Sequence, residues 1–152
     1  IEVFYAAAAR LQVQHPDWQF VVAGPRNLPV PAGILDLGQL PTAEIPALYL
    51  SLEVGVICNQ PSLFAEYCFP QKLYEMLACG LPVVAAQIGV MAEERAWPGK
   101  VFGYRPNDVD DLVQKITDAM RVGRQTLPLH LPTWADKAKE LAALLTQATQ
   151  QR

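Results

Sequence analysis

The sequence predicts an α/β fold in which helices flank a doubly wound parallel sheet. Short apolar runs rich in β-branched residues alternate with segments of helical periodicity, at spacings that favour parallel β-α-β units. The run at 54–58 is apolar throughout, which is typical of a strand covered on both faces. With 152 residues, the chain is long enough to form one domain with its own core.

Strands and helices are predicted in alternation along the whole chain. Strands are expected at 19–23, 34–37, 54–58, 82–86 and 101–104. Helices are expected at 1–15, 43–50, 71–79, 109–121 and 134–149. The first helix carries its apolar side chains at helical spacing, namely Val3, Phe4, Ala7, Ala8 and Leu11.

Local signals mark where several of these helices begin and end. Thr42, Asp108 and Thr133 each offer a side-chain oxygen that can cap a helix N-terminus, and Thr133 forms a capping-box pattern with Asp136. Pro70 stands at the first turn of the 71–79 helix. Gly80 stands where that helix should end, and residues 59–69 are predicted to form a loop long enough to be functional.

Composition excludes several classes of protein. The 51% of hydrophobic and 18% of charged residues exclude a disordered chain, and the net charge of −3 argues against a nucleic-acid binder. The three cysteines form no C-x-x-C pair, so the sequence predicts no metal site, no disulfide framework and a reduced, cytoplasmic location. The apolar stretch at 76–92 is divided by Gly80, Pro82 and Gly89, which argues against a membrane span.

Helical periodicity is already present at Ile1, and no initiator methionine precedes it. We therefore expect residues 1–152 to be a single-domain fragment that starts inside an element, after a first strand that is absent.

The carboxyl ends of the strands are the expected binding edge, because ligands of doubly wound sheets bind there. The loop at 59–69 leads into the helix N-terminus at Gln71, where free N–H groups and a partial positive charge suit a phosphate. Lys72 adds a cation, and the Glu75 carboxylate could accept hydrogen bonds from a ribose diol. From the spacing alone, Lys72 and Glu75 could equally form an exposed surface ion pair.

The run F-P-Q-K-L-Y-E-M-L-A-C-G-L-P-V-V-A at 69–85 resembles the nucleotide-sugar signature P-x-K-x-x-E-x-x-A-x-G-x-P-V-V of GT-B glycosyltransferases. Segments similar to the C-terminal half of that fold follow in the expected order at 18–24, 37–49 and 102–108. The 102–108 segment, with the region around Lys72 and Gly80, is also similar to bacterial glucuronosyltransferases of the xanthan type. The resemblance implies a Rossmann-like donor-binding domain, whose N-terminal acceptor domain lies outside this chain.

The resemblance implies the following site residues. Glu75 would bind the ribose hydroxyls, and Lys72 would bind the diphosphate together with the helix N-terminus at Gln71 and Leu73. Positions near the nucleobase are implied for Gln39 and Asn59. Gly24 would let the backbone approach the ligand.

One departure from the family concerns the sugar-facing acid. Retaining enzymes of this fold often carry an acid eight residues before the ribose-binding glutamate, and here that position is Tyr67. Glu66, nine residues before Glu75, is the candidate for that role. The stereochemistry of transfer stays open.

The implied activity is transfer of a sugar from a nucleoside diphosphate sugar, with UDP as the expected nucleotide, to a glycan or lipid-linked acceptor. No cofactor or metal is expected, because Lys72 and the helix dipole would stabilise the departing diphosphate. The catalytic base would come from the absent N-terminal half, and the whole enzyme could associate peripherally with the cytoplasmic face of a membrane. Two alternatives stay open, namely half of a nucleotide-sugar 2-epimerase and a non-enzymatic α/β nucleotide-binding module. A receiver-like module would need an acidic cluster after its first strand, where this chain has Gly24-Pro25-Arg26.

The other conspicuous residues are predicted to be structural. His15 and His130 are expected to be solvated loop residues, and Arg26 either faces the diphosphate or is solvated. Packing roles are expected for Trp18, Trp97, Trp134, Cys58 and Cys79.

Overall fold

The computed structural model describes residues 1–92, 101–124 and 133–150, so Trp97 and His130 lie outside the described residues. The described helices are α1 (Glu2–Gln14), α2 (Ile45–Ser51), α3 (Leu63–Tyr67), α4 (Gln71–Ala78), α5 (Val109–Val122) and α6 (Trp134–Gln150). The described strands are β1 (Phe20–Val22), β2 (Ile34–Asp36), β3 (Gly55–Ile57), β4 (Val83–Ala86) and β5 (Val101–Tyr104). Two 3₁₀ turns, Thr42–Glu44 and Gly89–Ala92, complete the described elements.

All strand pairs are parallel, as the alternation of strands and helices predicts. The strands form two sheets, with β1 beside β2 in the first and the order β3-β4-β5 in the second. One hydrophobic cluster takes residues from both sheets, including Phe20, Ile34 and Val84. The predicted α/β fold is confirmed, and its strands divide into two hydrogen-bonded sheets over a shared core.

Helices cover both faces of β4, all of whose residues are buried. Val84 and Ala86 belong to the core cluster that α1 and α5 cover, whereas Val83 and Ala85 belong to a second cluster with residues of α2 and α4. Every core residue predicted for the first helix is buried in the former cluster. This two-sided cover places α2 and α4 together on one face of the sheet.

Three of the predicted helix boundaries are confirmed by their hydrogen bonds. Asp108 caps α5, since its Oδ1 accepts from the Asp111 N–H at 2.9 Å. The Thr133 hydroxyl accepts from the Asp136 N–H at 3.2 Å, and the Asp136 carboxylate accepts from the Thr133 N–H at 2.9 Å. α4 ends in a Schellman motif, in which Gly80 has φ 72° and the Leu81 N–H donates to the Met76 carbonyl.

Two local predictions were wrong. Thr42 does not cap α2 but lies inside the preceding 3₁₀ turn, which the Glu44 N–H closes by donating to the Pro41 carbonyl. The predicted loop at 59–69 contains a short helix, α3, because the Ser62 hydroxyl accepts from the Ala65 N–H at 3.1 Å.

The residues that were predicted to be structural differ in how deeply they are buried. Trp18 packs against the core, and the ring of the half-buried His15 stacks on it at a centroid distance of 4.0 Å, so His15 is solvated only in part. Trp134 at the start of α6 is 78% exposed, so the packing prediction was wrong there. Cys58 and Cys79 are half-buried at the margins of the two clusters. Within the described residues, no helix combines the length and apolar character needed to cross a bilayer.

Candidate functional site

The N-terminus of α4 follows β3 and offers unsatisfied backbone donors. Pro70 occupies the N-cap position, and because its side chain carries no oxygen, no side-chain cap forms. Among the described residues nothing accepts a hydrogen bond from the N–H groups of Gln71 or Lys72, and both side chains are exposed. Two adjacent N–H groups at the positive end of a helix dipole can bind an anion.

Leu73, which was expected to share in phosphate binding, lies in the core instead. Its side chain is fully buried against the second cluster, and its N–H donates to the Pro70 carbonyl at 2.9 Å. Leu73 therefore anchors α4 on the sheet, and of these three residues Gln71 and Lys72 are the ones whose N–H groups stay open.

Glu75 stands one turn after Lys72 on the exposed side of α4. Within the described part of the chain, no ion pair joins these two side chains. Glu75 Oε2 instead accepts a hydrogen bond from the Tyr49 hydroxyl at 3.2 Å. The alternative interpretation, a surface ion pair between Lys72 and Glu75, thus has no contact to support it.

Tyr49 belongs to α2, and its ring is buried in the second cluster. Burial raises the pKa of Tyr49 to about 12, with smaller contributions in the same direction from the charge of Glu75 and the hydrogen bond to it. The hydroxyl therefore stays protonated near neutral pH and remains a donor to Glu75.

The carboxyl end of β3 brings Cys58 and Asn59 to the same region as Lys72. Burial raises the pKa of the Cys58 thiol, while the positive charge of Lys72 is among the effects that act in the opposite direction. The Tyr104 hydroxyl, at the end of β5, is buried next to Cys58, and burial raises the pKa of Tyr104 as well. The half-buried Asn59 follows Cys58, but no described contact links it to a site residue.

A second group of predicted residues lies at the carboxyl ends of β1 and β2. Asp36 Oδ1 accepts from the Gly38 N–H at 2.7 Å and from Arg26 Nη2 at 2.6 Å. The Gly24 N–H donates to the Gly38 carbonyl at 2.7 Å, and both glycines have positive φ. Arg26 therefore stabilises the corner at the carboxyl ends of β1 and β2 by pairing with Asp36. Gln39, next to Gly38 in the same corner, is exposed.

Glu66 lies on α3, which packs against the second 3₁₀ turn. Ala65 is buried, and the backbone oxygen of Glu66 faces Gly89. The Glu66 side chain is exposed, as is that of Tyr67 at 86%. The sugar-facing role of Glu66 stays a prediction.

The structure thus places most of the predicted residues in two groups, one on α4 and one at the corner of β1 and β2, whereas Asn59 follows β3 and Glu66 lies on α3. No hydrogen bond or ion pair between described residues joins the two groups. Tyr49 is the site residue that sequence reasoning missed, although it belongs to the 37–49 segment that carries part of the resemblance. Within the described ranges, no three histidine, cysteine or acidic residues cluster in a way that could hold a metal.

Comparison with known proteins identifies a family for most of the chain. Residues 1–121 match the family described as glycosyl transferases group 1. The Bacillus subtilis (strain 168) protein TuaH, named as a teichuronic acid biosynthesis glycosyltransferase, is 29% identical to this chain over 85 residues. That match covers 50% of this chain and 21% of TuaH, so the chain spans about a fifth of the length of that relative. Because the family match extends from α1 into α5, this chain belongs to the group 1 glycosyltransferases.

Proposed function

We propose that this chain is the donor-binding domain of a glycosyltransferase that uses a nucleoside diphosphate sugar, with UDP as the nucleotide. The observation that carries the proposal is the arrangement on α4, where two open N–H groups and the Lys72 ammonium precede Glu75 by one turn. This order matches the order of groups in a nucleoside diphosphate, since the phosphates need donors and the ribose diol needs acceptors.

The same residues would assist the departure of the nucleotide. As the bond to the sugar breaks, negative charge grows on the diphosphate, and donors fixed in advance stabilise that charge without reorganising. The Gln71 and Lys72 N–H groups are held by the helix, and Leu73 fixes the helix on the sheet. We therefore assign leaving-group stabilisation to the first turn of α4.

The acceptor is proposed to be a glycan or a lipid-linked glycan, bound by parts of the enzyme beyond this chain. The catalytic base is assigned to those parts too, because the resemblance places it in the N-terminal half of the enzyme. The full-length enzyme is proposed to act in the cytoplasm, in peripheral contact with the membrane where the acceptor is lipid-linked.

Isothermal titration calorimetry of the 152-residue chain with UDP, ADP, GDP and uridine tests the proposal. We expect UDP to bind and uridine to bind far more weakly, because uridine lacks the phosphates that α4 recognises. Tighter binding of ADP or GDP would overturn the choice of uracil. Absence of binding by all three diphosphates would overturn the function.

Turnover by the isolated chain provides a second check. With UDP-sugars and glycan acceptors, we expect no sugar transfer, since the acceptor site and base are assigned elsewhere. Sustained transfer by the 152 residues alone would contradict that assignment.

A further inference from the structure

The Tyr49 hydroxyl fixes one oxygen of an otherwise exposed carboxylate. Glu75 is exposed on α4, and a glutamate in that setting can adopt several side-chain rotamers. Its Oε2 is nevertheless held at 3.2 Å by the hydroxyl of Tyr49, a side chain that is only 9% exposed. Among the described contacts, Oε1 of Glu75 has no partner, so that oxygen is open to a ligand.

Tyr49 is itself held at its backbone, where α2 ends. Its carbonyl oxygen accepts a hydrogen bond from Arg124 Nη2, which also donates to the Leu52 carbonyl at 2.6 Å. Nη1 of the same guanidinium donates to the Cys79 carbonyl at 2.8 Å, directly after α4. Arg124 therefore ties the end of α2 to the end of α4.

The ring of Tyr49 is fixed by packing as well. It belongs to the cluster that contains Leu73, Met76 and Leu77 on the buried side of α4. Because the ring cannot move without disturbing this cluster, the hydroxyl is a fixed point, and the flexible Glu75 side chain is the part that is oriented.

We propose that Tyr49 is a positioning residue for ribose recognition, holding Glu75 Oε2 so that the carboxylate presents Oε1 to the ribose diol. The inference rests on the proposed function, because it needs Glu75 to bind the ribose. Tyr49 donates only to Glu75 in this arrangement, so it acts on the nucleotide through that carboxylate. Its benefit is a smaller loss of side-chain freedom when the ligand binds.

The test compares UDP with 2′,3′-dideoxyuridine 5′-diphosphate, which lacks both ribose hydroxyls, by calorimetry on the same variants. For the wild type we expect UDP to bind more tightly than the dideoxy analogue. Tyr49→Phe removes one hydroxyl and keeps the ring, so this affinity ratio should fall by about 3- to 10-fold. Affinity for the dideoxy analogue should stay unchanged.

Glu75→Ala and its combination with Tyr49→Phe complete a double-mutant cycle, to which one control variant is added. Glu75→Ala should abolish the preference for UDP, and adding Tyr49→Phe to Glu75→Ala should have no further effect, because the two residues act as one unit. Tyr5→Phe is the matched control, since it also removes a buried tyrosine hydroxyl, on α1, and that hydroxyl has no partner among the described residues. The control should leave the ratio at its wild-type value.

The outcomes separate this inference from the function on which it rests. If Glu75→Ala removes the preference while Tyr49→Phe keeps it, the positioning role is wrong and the ribose role of Glu75 stands. If Tyr49→Phe weakens both ligands equally, the residue is only structural and the inference is overturned. If Glu75→Ala leaves the preference intact, the ribose assignment fails, and the role of Tyr49 fails with it.

Discussion

Gly89 lies so close to the backbone of Glu66 that a Cβ at position 89 would be 2.2 Å from the Glu66 carbonyl oxygen. Real Cβ atoms do not approach a backbone oxygen this closely, and φ at Gly89 is +53°, a conformation that side chains disfavour. α3 can therefore pack this closely against the second 3₁₀ turn only because residue 89 has no side chain.

Gly89→Ala should consequently destabilise the fold more than a change of backbone preference alone would. Gly38→Ala is the control, because φ there is +62° but a Cβ would meet nothing within 4 Å. We expect Gly38→Ala to cost about 1–2 kcal/mol and Gly89→Ala about 1–3 kcal/mol more in urea denaturation. Equal losses in the free energy of unfolding for the two variants would contradict this prediction and show that α3 can move away from residue 89 at little cost.

Arg124 should contribute more to stability than a typical surface arginine. Its guanidinium donates to three carbonyl oxygens, those of Tyr49, Leu52 and Cys79, and so joins two helix ends. Arg124→Ala should lower the free energy of unfolding by about 1–3 kcal/mol, measured by urea denaturation.

Arg121→Ala is the matched control for this change. Arg121 pairs with Asp118 three residues earlier on α5, and its side chain is 71% exposed. A pair of this kind contributes less than about 1 kcal/mol. A loss for Arg124→Ala no larger than for Arg121→Ala would contradict the joining role of Arg124.

Lys72 should act on phosphate and not on the nucleoside. Lys72→Met keeps most of the aliphatic stem and removes the charge, so affinity for UDP should fall by about 1–2 kcal/mol while affinity for uridine barely changes. The loss of UDP affinity caused by Lys72→Met should become smaller as the salt concentration rises, because salt screens the contact between the Lys72 ammonium and the phosphates. Calorimetry of the wild type and Lys72→Met with UDP and with uridine, at low and high salt, measures these affinities.

Lys139→Met, on the exposed α6, makes the same change in net charge elsewhere. Binding of UDP should be nearly unaffected by it. Equal losses of UDP and uridine binding in Lys72→Met would exclude the phosphate role, since a defect in the fold or the base site would then be responsible.

The Tyr49 hydroxyl should make stability depend on pH in the alkaline range. Folding raises the pKa of Tyr49 from 10.0 to about 12, so the native state retains the proton that the unfolded chain releases first. The contribution of the protonated Tyr49 hydroxyl to the free energy of unfolding is fully present below pH 10.0 and is lost as the pH rises through about 12. The stability difference between the wild type and Tyr49→Phe should therefore decrease over this interval in urea denaturation, and a constant difference would contradict the raised pKa of Tyr49.

The parts of the fold that the sequence predicts well depend on neighbouring residues. Asp108 and Gly80 act within a few residues of themselves, through a capped N–H and a left-handed turn, so their signals are complete in a short window. The prediction for Thr42 failed because a hydroxyl before an apolar run allows a 3₁₀ turn as well as a cap, and packing decides between them. α3 was missed because five residues are too short a segment to show a helical period.

The contacts that complete the candidate site lie beyond such windows. Tyr49 and Glu75 are 26 residues apart, and Arg124 reaches acceptors 45 to 75 residues away. No local pattern specifies that these side chains meet. The motif placed Lys72 and Glu75 on one helix, whereas the buried position of Leu73 and the pairing of Arg26 with Asp36 depend on how the elements pack.

The division of the strands into two sheets affects how the purified chain should behave at high concentration. Among the described residues, β4 alone is paired along both edges, and β1, β2, β3 and β5 each leave one row of backbone N–H and carbonyl groups without a strand partner. Open edges of this kind act as templates for strands from another molecule. Because these edge strands have only three or four residues, we expect edge-to-edge association to be weak and confined to concentrated samples. Ligand affinities are therefore best measured in dilute solution, with the association state followed by light scattering.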